Sequence, residues 1–156
     1  MSDLQTIGTV LPATTPETLA KIERAEARMR VRPQLHIRTE HILHAGMYAR
    51  TIRLAEKVAI TSVLIKVPTM IVVNGACRVF AGDSWHDIEG FHVIPASAGR
   101  KLIYITFRPT EITMLFPSQA KNIEEAEVEF TDETELLLSR KCNDDVVTIT
   151  GVPCQA

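Results

Sequence analysis

Aromatic residues make up only 5% of this 156-residue chain, and cysteine occurs three times. Cys77, Cys142 and Cys154 are odd in number, widely spaced and without a C-x-x-C pair. That argues against a disulfide framework or zinc knuckle and suits a reducing cytoplasm. No segment approaches the ~18 consecutive apolar residues of a membrane-spanning helix. Met1–Gln5 has neither the basic nor the apolar region of a secretory signal. Basic excess is missing as well: the net charge is -2, which argues against a nucleic-acid partner, and so few aromatics leave little for bases to stack on. Dinucleotide, P-loop, nucleophile-elbow and zincin motifs are all absent, so no catalytic residue is assigned. Two stretches, 57–76 and 100–110, lack His, Asp, Glu and Cys altogether.

What the chain does have is a block of short apolar segments from Tyr48 to Phe116, separated by small turn clusters. The segments are Tyr48–Leu54, Val58–Val67, Met70–Val73, Cys77–Phe80, Phe91–Ile94, Leu102–Phe107 and Ile112–Phe116. Their spacing predicts an all-β fold, a β-barrel or double-sheet jelly roll. Val58–Val67, apolar on both faces, reads as a strand buried on two sides. Asn74-Gly75 reads as a hairpin turn. Residues 1–14 are expected to be flexible and 15–33 to form an N-terminal helix. Thr15 caps that helix, Pro16 takes its first position, and Leu19, Ile22, Ala25 and Met29 share one face. The barrel then covers 34–117. Residues 118–140 carry one or two short C-terminal helices, Ala120–Phe130 and Asp132–Arg140, the second capped by Thr131. Residues 141–156 form a tail whose strand-like run is Val146–Thr150.

Within the central block, His44-Ala45-Gly46-Met47-Tyr48-Ala49-Arg50 and Ile94-Pro95-Ala96-Ser97-Ala98-Gly99-Arg100-Lys101 resemble the cupin family. The likeness is to small cupin-like proteins encoded by bacteriophages and prophages. Asn74-Gly75 stands where cupins turn at the end of their first motif. The resemblance covers roughly half of the chain. It implies a barrel, pairing into a homodimer or larger assembly, and in cupin enzymes a divalent metal held by a His-x-His pair, a glutamate and a third histidine. Counted from Gly75, the pair falls on Thr61 and Val63, or on Ser62 and Leu64, and the glutamate on Pro68. Counted from Gly99, the third histidine falls on Leu102. Zn²⁺ or Fe²⁺ needs imidazole, thiolate or carboxylate ligands. The expectation is therefore a barrel that has lost the metal site and carries no cofactor. It would act as a non-catalytic binding or assembly protein, in the host cytoplasm or associated with a virion, with a phage structural or host protein as partner. A ligand-sequestering role is compatible.

The rival reading is an enzyme: a relocated metal site among His36, His41, His44, His86 and His92, with His41, His44 and His92 as the named set and Glu40 a further ligand beside His36, His41 and His44, or a metal-free isomerase or lyase using Tyr48, Tyr104 or His92. Tyr48 and Arg50 share a strand face. With Tyr104 they are candidates to line a site for an anionic ligand, against a structural role in which Arg50 pairs with a C-terminal carboxylate. Arg100-Lys101 reads as a solvated turn, against a phosphate grip. Residues 21–38 are mostly basic, and residues 124–135 hold seven acidic side chains and no base. The two segments are candidates to meet.

Overall fold

The computed structural model describes residues 10–137 and 144–150. Its first element is helix α1, Pro16–Arg30, which starts at the cap read from the sequence and ends short of residue 33: the Thr15 side chain accepts the Thr18 N–H at 3.2 Å. Thr18 and Ile22 are its buried residues. Leu11 is buried too, pairing with Ala96 as a parallel bridge. The expected flexible N-terminus is thus corrected for residues 10–14, which lie on the strand edge; residues 1–9 lie outside the described ones.

The strands are β1 (Thr39–His44), β2 (Met47–Leu54), β3 (Ala59–Thr61), β4 (Thr69–Ala81), β5 (Ser84–Ala96), β6 (Ile103–Pro117) and β7 (Val146–Ile149). They form one seven-stranded sheet in the order β5-β4-β6-β2-β1-β7, with β3 also on β6. The protein is mostly β, as expected, but the sheet is not closed: β5 and β7 are its edges. The end of α1, the linker 31–38 and the segment after β6 all contribute residues that border the interior of the sheet, among them Met29, Leu35 and Phe130. The expected strand Gln34–Arg38 is part of that linker.

Asn74-Gly75 is not a turn. β4 runs straight through it, and Gly75 faces Gly90 on β5. The glycine is required by crowding instead. Its φ is +149°, and a Cβ there would lie 2.5 Å from Thr110 Oγ1 and 2.6 Å from the Pro109 carbonyl. The β4–β6 register slips on either side of Ala76, with extra residues on β6 around Pro109, where a missing N–H is tolerated. Irregularities of this kind bend a strand and increase its twist. The tight hairpins lie elsewhere, at Ala45-Gly46 and Gly82-Asp83, where all four residues have positive φ, as two-residue turns between twisted strands require.

The expected long strand Val58–Val67 is also corrected. Only Ala59–Thr61 is strand. Beyond it the Ser62 and Ile65 N–H groups bond to the carbonyls of Leu102 and Arg100, and that of Lys66 to Phe130. The segment therefore bridges β6 and the C-terminal region rather than extending one ladder. Helix α2 (Ile123–Phe130) is capped by Asn122, whose side chain accepts the Glu125 N–H at 2.9 Å. The second C-terminal helix is reduced to a 3-10 turn, Thr134–Leu136. Thr131 does not start a second helix but closes α2 as its C-cap, its N–H donating to the Glu127 carbonyl; its hydroxyl donates to the Leu64 carbonyl and accepts the Glu133 N–H. Residues 138–143 and 151–156 lie outside the described residues. Within the tail, β7 pairs parallel to β1, Glu40 opposite Val146.

Candidate ligand-binding site

Inside the folded sheet lies a cavity of about 770 Å³. Strand alternation supplies its wall: Ile52, Ile71, Ile112 and Met114 point inward from β2, β4 and β6. Leu102 and Tyr104 continue it at the start of β6, Val63 and Ile65 come from the bridging segment, and Phe130 and Leu137 from beyond β6. Arg32, Gln34, Leu35 and Lys57 form the rim from exposed positions.

Of the three ligand-binding candidates, Arg50 and Tyr104 line this cavity and Tyr48 does not. Tyr48 is fully buried one step deeper, against Phe116 and Phe130, with ring centroids 5.5 and 6.0 Å away. Its hydroxyl is 2.7 Å from His41 Nδ1, and His41 Nε2 is 2.7 Å from Asp145 Oδ2. Burial pushes the Tyr48 phenol up to about 12, opposed in part by Arg50. Arg50 Nη1 lies 3.6 Å from Glu127 Oε2 on α2, with both side chains largely buried, so the structural pairing weighed against ligand binding is present. Burial also raises the Tyr104 phenol, so it stays a neutral donor.

The histidines do not converge. His41 and His44 are three apart on β1, which places them on opposite faces of the strand. His41 is buried with Asp145 and Tyr48, while His44 is exposed and bonds Thr150. His92 bonds the Glu89 carbonyl at 2.7 Å, His86 bonds Ser84 and the Ala81 carbonyl, and His36 pairs with Asp144 at 2.5 Å. The relocated metal site on His41, His44 and His92 is therefore corrected by geometry. Thr61, Val63 and Leu102, where the resemblance would place metal ligands, do come together on the cavity wall, as does Ser62. Their side chains offer hydroxyl and hydrocarbon. Among the described residues no group of three or more His, Cys, Asp and Glu could hold a metal ion, and the donor set does not fit a divalent centre.

Arg100 and Lys101 are not a solvated turn. Arg100 is 1% exposed and lines the cavity; Lys101 is 3% exposed and faces away from it. The Arg100 guanidinium donates to the carbonyls of Ser97 (2.9 Å) and Val67 (3.4 Å) and to the Thr69 hydroxyl (2.6 Å), while its Nε has no hydrogen-bond partner among the described residues. Burial lowers its pKa to about 10. Lys101 takes both available acids, Glu26 of α1 at 2.8 Å and Glu133 at 3.6 Å. The basic and acidic segments thus meet through a shared lysine rather than by direct attraction. The position after Gly99 made Arg100 read as part of a solvated turn rather than a phosphate grip; the usable signal was its alternation with inward-facing Leu102 and Tyr104. Cys77 is buried, its thiol pushed up to about 11 by burial, and behaves as a small apolar residue.

No protein-family model matches the chain, and no curated protein matches it. The chain is similar to several solved structures. One is the Cupin_2 domain of an XRE family transcriptional regulator from Enterobacter cloacae, at 14% identity over 52% of this chain and 95% of that one, with a TM-score of 0.45. Another is KdgF from Halomonas sp., at 15% identity over 60% and 88% of the two chains, with a TM-score of 0.46. A third is a Cupin 2 conserved barrel domain protein from Salinispora arenicola, at 12% identity over 64% and 90%, with a TM-score of 0.45.

Proposed function

We propose that this protein is a non-catalytic, cupin-like binding protein that has lost the metal site and encloses a small organic molecule. The observation that carries the reading is the cavity of about 770 Å³ with hydrocarbon and hydroxyl where metal ligands would stand. Its size is in the range of small-molecule sites, and its mostly apolar wall with few polar groups is their usual make-up. The buried chain of Asp145, His41 and Tyr48 lies behind the wall, so it holds the fold and offers no general base to a bound molecule. A phage or prophage origin, and a cytoplasmic or virion setting, rest on the sequence resemblance alone.

The test is uptake of Nile red, a neutral apolar dye, by protein purified without chelator, with elemental analysis of the same sample. One dye per chain is expected, with uptake abolished by filling the cavity in Leu102→Trp. Dye binding that ignores Leu102→Trp, or stoichiometric metal in the sample, overturns the reading.

An assembly role is favoured by a separate observation. On the outer face of the sheet, Ile42, Ala49, Leu115, Met70 and Pro95 form one row across five strands in register. Met70 and Ile42 are 42% and 45% exposed. Leu115 stands at the centre, so a two-fold axis through it lays the row on its own reverse. That is the self-complementarity an isologous dimer needs, and it is why a second copy suits this face.

A further inference from the structure

We propose that the cavity selects an organic monoanion, a carboxylate on an apolar body, over neutral, cationic and dianionic molecules of the same shape, with Arg100 supplying the compensating charge and Tyr104 a hydrogen bond. The proposal rests on the binding reading above and names the ligand class for that site.

The charges on the cavity wall are lopsided. Arg30, Arg32, Arg50, Lys57 and Arg100 contribute to the lining, against one acid, Glu26, in a chain whose net charge is -2. Glu26 is engaged by Arg30 at 3.2 Å and by Lys101 at 2.8 Å. Arg50 has Glu127 beside it. Arg32 and Lys57 sit exposed at the rim, where water screens them.

Arg100 is different. Its acceptors are two carbonyls and a hydroxyl, all neutral, and no acid pairs with it among the described residues. Those bonds fix the guanidinium in place without cancelling its charge. A buried charge is tolerated when paired, and the space next to Arg100 is the cavity. Burial depresses its pKa to about 10, still far above neutrality, so it remains a cation at physiological pH. Tyr104, two positions beyond Leu102 on the same strand face, makes no side-chain hydrogen bond among the described residues and keeps its proton. A phenol O–H and a guanidinium flanking an apolar residue suit a carboxylate whose hydrocarbon lies along Ile71, Ile112 and Met114. One uncompensated buried cation balances one negative charge. A phosphate monoester would bring a second into an apolar space.

The test is isothermal titration of the full-length protein with decanoate, methyl decanoate, decylamine and decyl phosphate, which share one apolar body. Decanoate is expected to bind about tenfold or more tighter than each of the others. In Tyr104→Phe the advantage of decanoate over its methyl ester should shrink severalfold while ester binding is unchanged. Arg100→Met should abolish the advantage; if that variant fails to fold, the wild-type series and Tyr104→Phe decide. Methyl decanoate binding as tightly as decanoate overturns the proposal while leaving the binding reading intact. Decyl phosphate binding tighter than decanoate overturns it as well. If no member of the series binds and Nile red does not bind either, the binding reading itself has failed.

Discussion

Gly75 and Tyr48 show how differently single residues hold this structure. At Gly75 any side chain meets the Pro109 carbonyl and Thr110 within 2.6 Å, on a backbone that L-residues rarely adopt. Gly75→Ala is expected to destabilise the protein by more than ~3 kcal/mol. Gly90→Ala, directly across the pair, meets nothing within 4 Å and costs only its positive φ, about 1–2 kcal/mol. Urea denaturation of the two variants checks the contrast; equal losses would contradict the crowding account. Tyr48 and Tyr104 are the only tyrosines, and both are raised by burial, Tyr48 to about 12. An unfolded tyrosine ionises near ~10. The stability this shift confers is therefore whole below pH ~10 and is lost as pH rises from there through about 12. An alkaline absorbance titration should show no tyrosinate step near ~10 in the native protein, only a rise that coincides with unfolding. A reversible step near ~10 with the fold intact would count against the buried placement. Arg50 was legible as an inward residue from its alternation with Tyr48. Arg100 was not, because a cation after a glycine looks the same whether the chain there is solvated or enclosed.

At the level of elements, α1 and β2 could be read from local signals, a cap and a period, and they stand where those signals put them. The long strands could not. Asn74-Gly75 carries a hairpin's chemistry, but the same glycine serves a place where β6 presses on β4, and only the tertiary neighbour tells the two apart. β7 shows the converse. The run Val146–Thr150 was visible, but nothing local says that it joins β1, or that Asp145 before it reaches His41 and the Thr39 N–H. That contact spans more than a hundred residues and ties β7 to the start of β1, next to the linker that rims the cavity. Asp145→Asn removes the charge from a largely buried bond and should cost about 1–3 kcal/mol. Asp144→Asn acts on an exposed pair with His36 and should cost under ~1 kcal/mol. Equilibrium unfolding of both variants tests the ranking, and a larger loss for Asp144→Asn would refute it.

For the molecule as a whole, a mostly β architecture was legible from the spacing of apolar runs. The open sheet and the hollow interior were not, because both depend on register, and a shift of one residue exchanges the faces. The outer row centred on Leu115 makes a prediction at this scale. The protein should sediment as a dimer at micromolar concentration, and Met70→Glu, which sets a charge beside the row's central Leu115, should yield a folded monomer. A wild-type monomer would remove the assembly reading without touching the cavity. The lack of closure has one more consequence, for colloidal behaviour. A sheet with two edges can template further strands, and the β7 edge is rich in β-branched residues, with Val146, Val147 and Ile149 all exposed. Its brevity, four residues, and the exposed Asp144 before it are the features that keep such an edge from recruiting neighbours. Asp144, exposed just before the strand, thus acts also as a gatekeeper, and Asp144→Asn should make the protein form fibrils faster on standing.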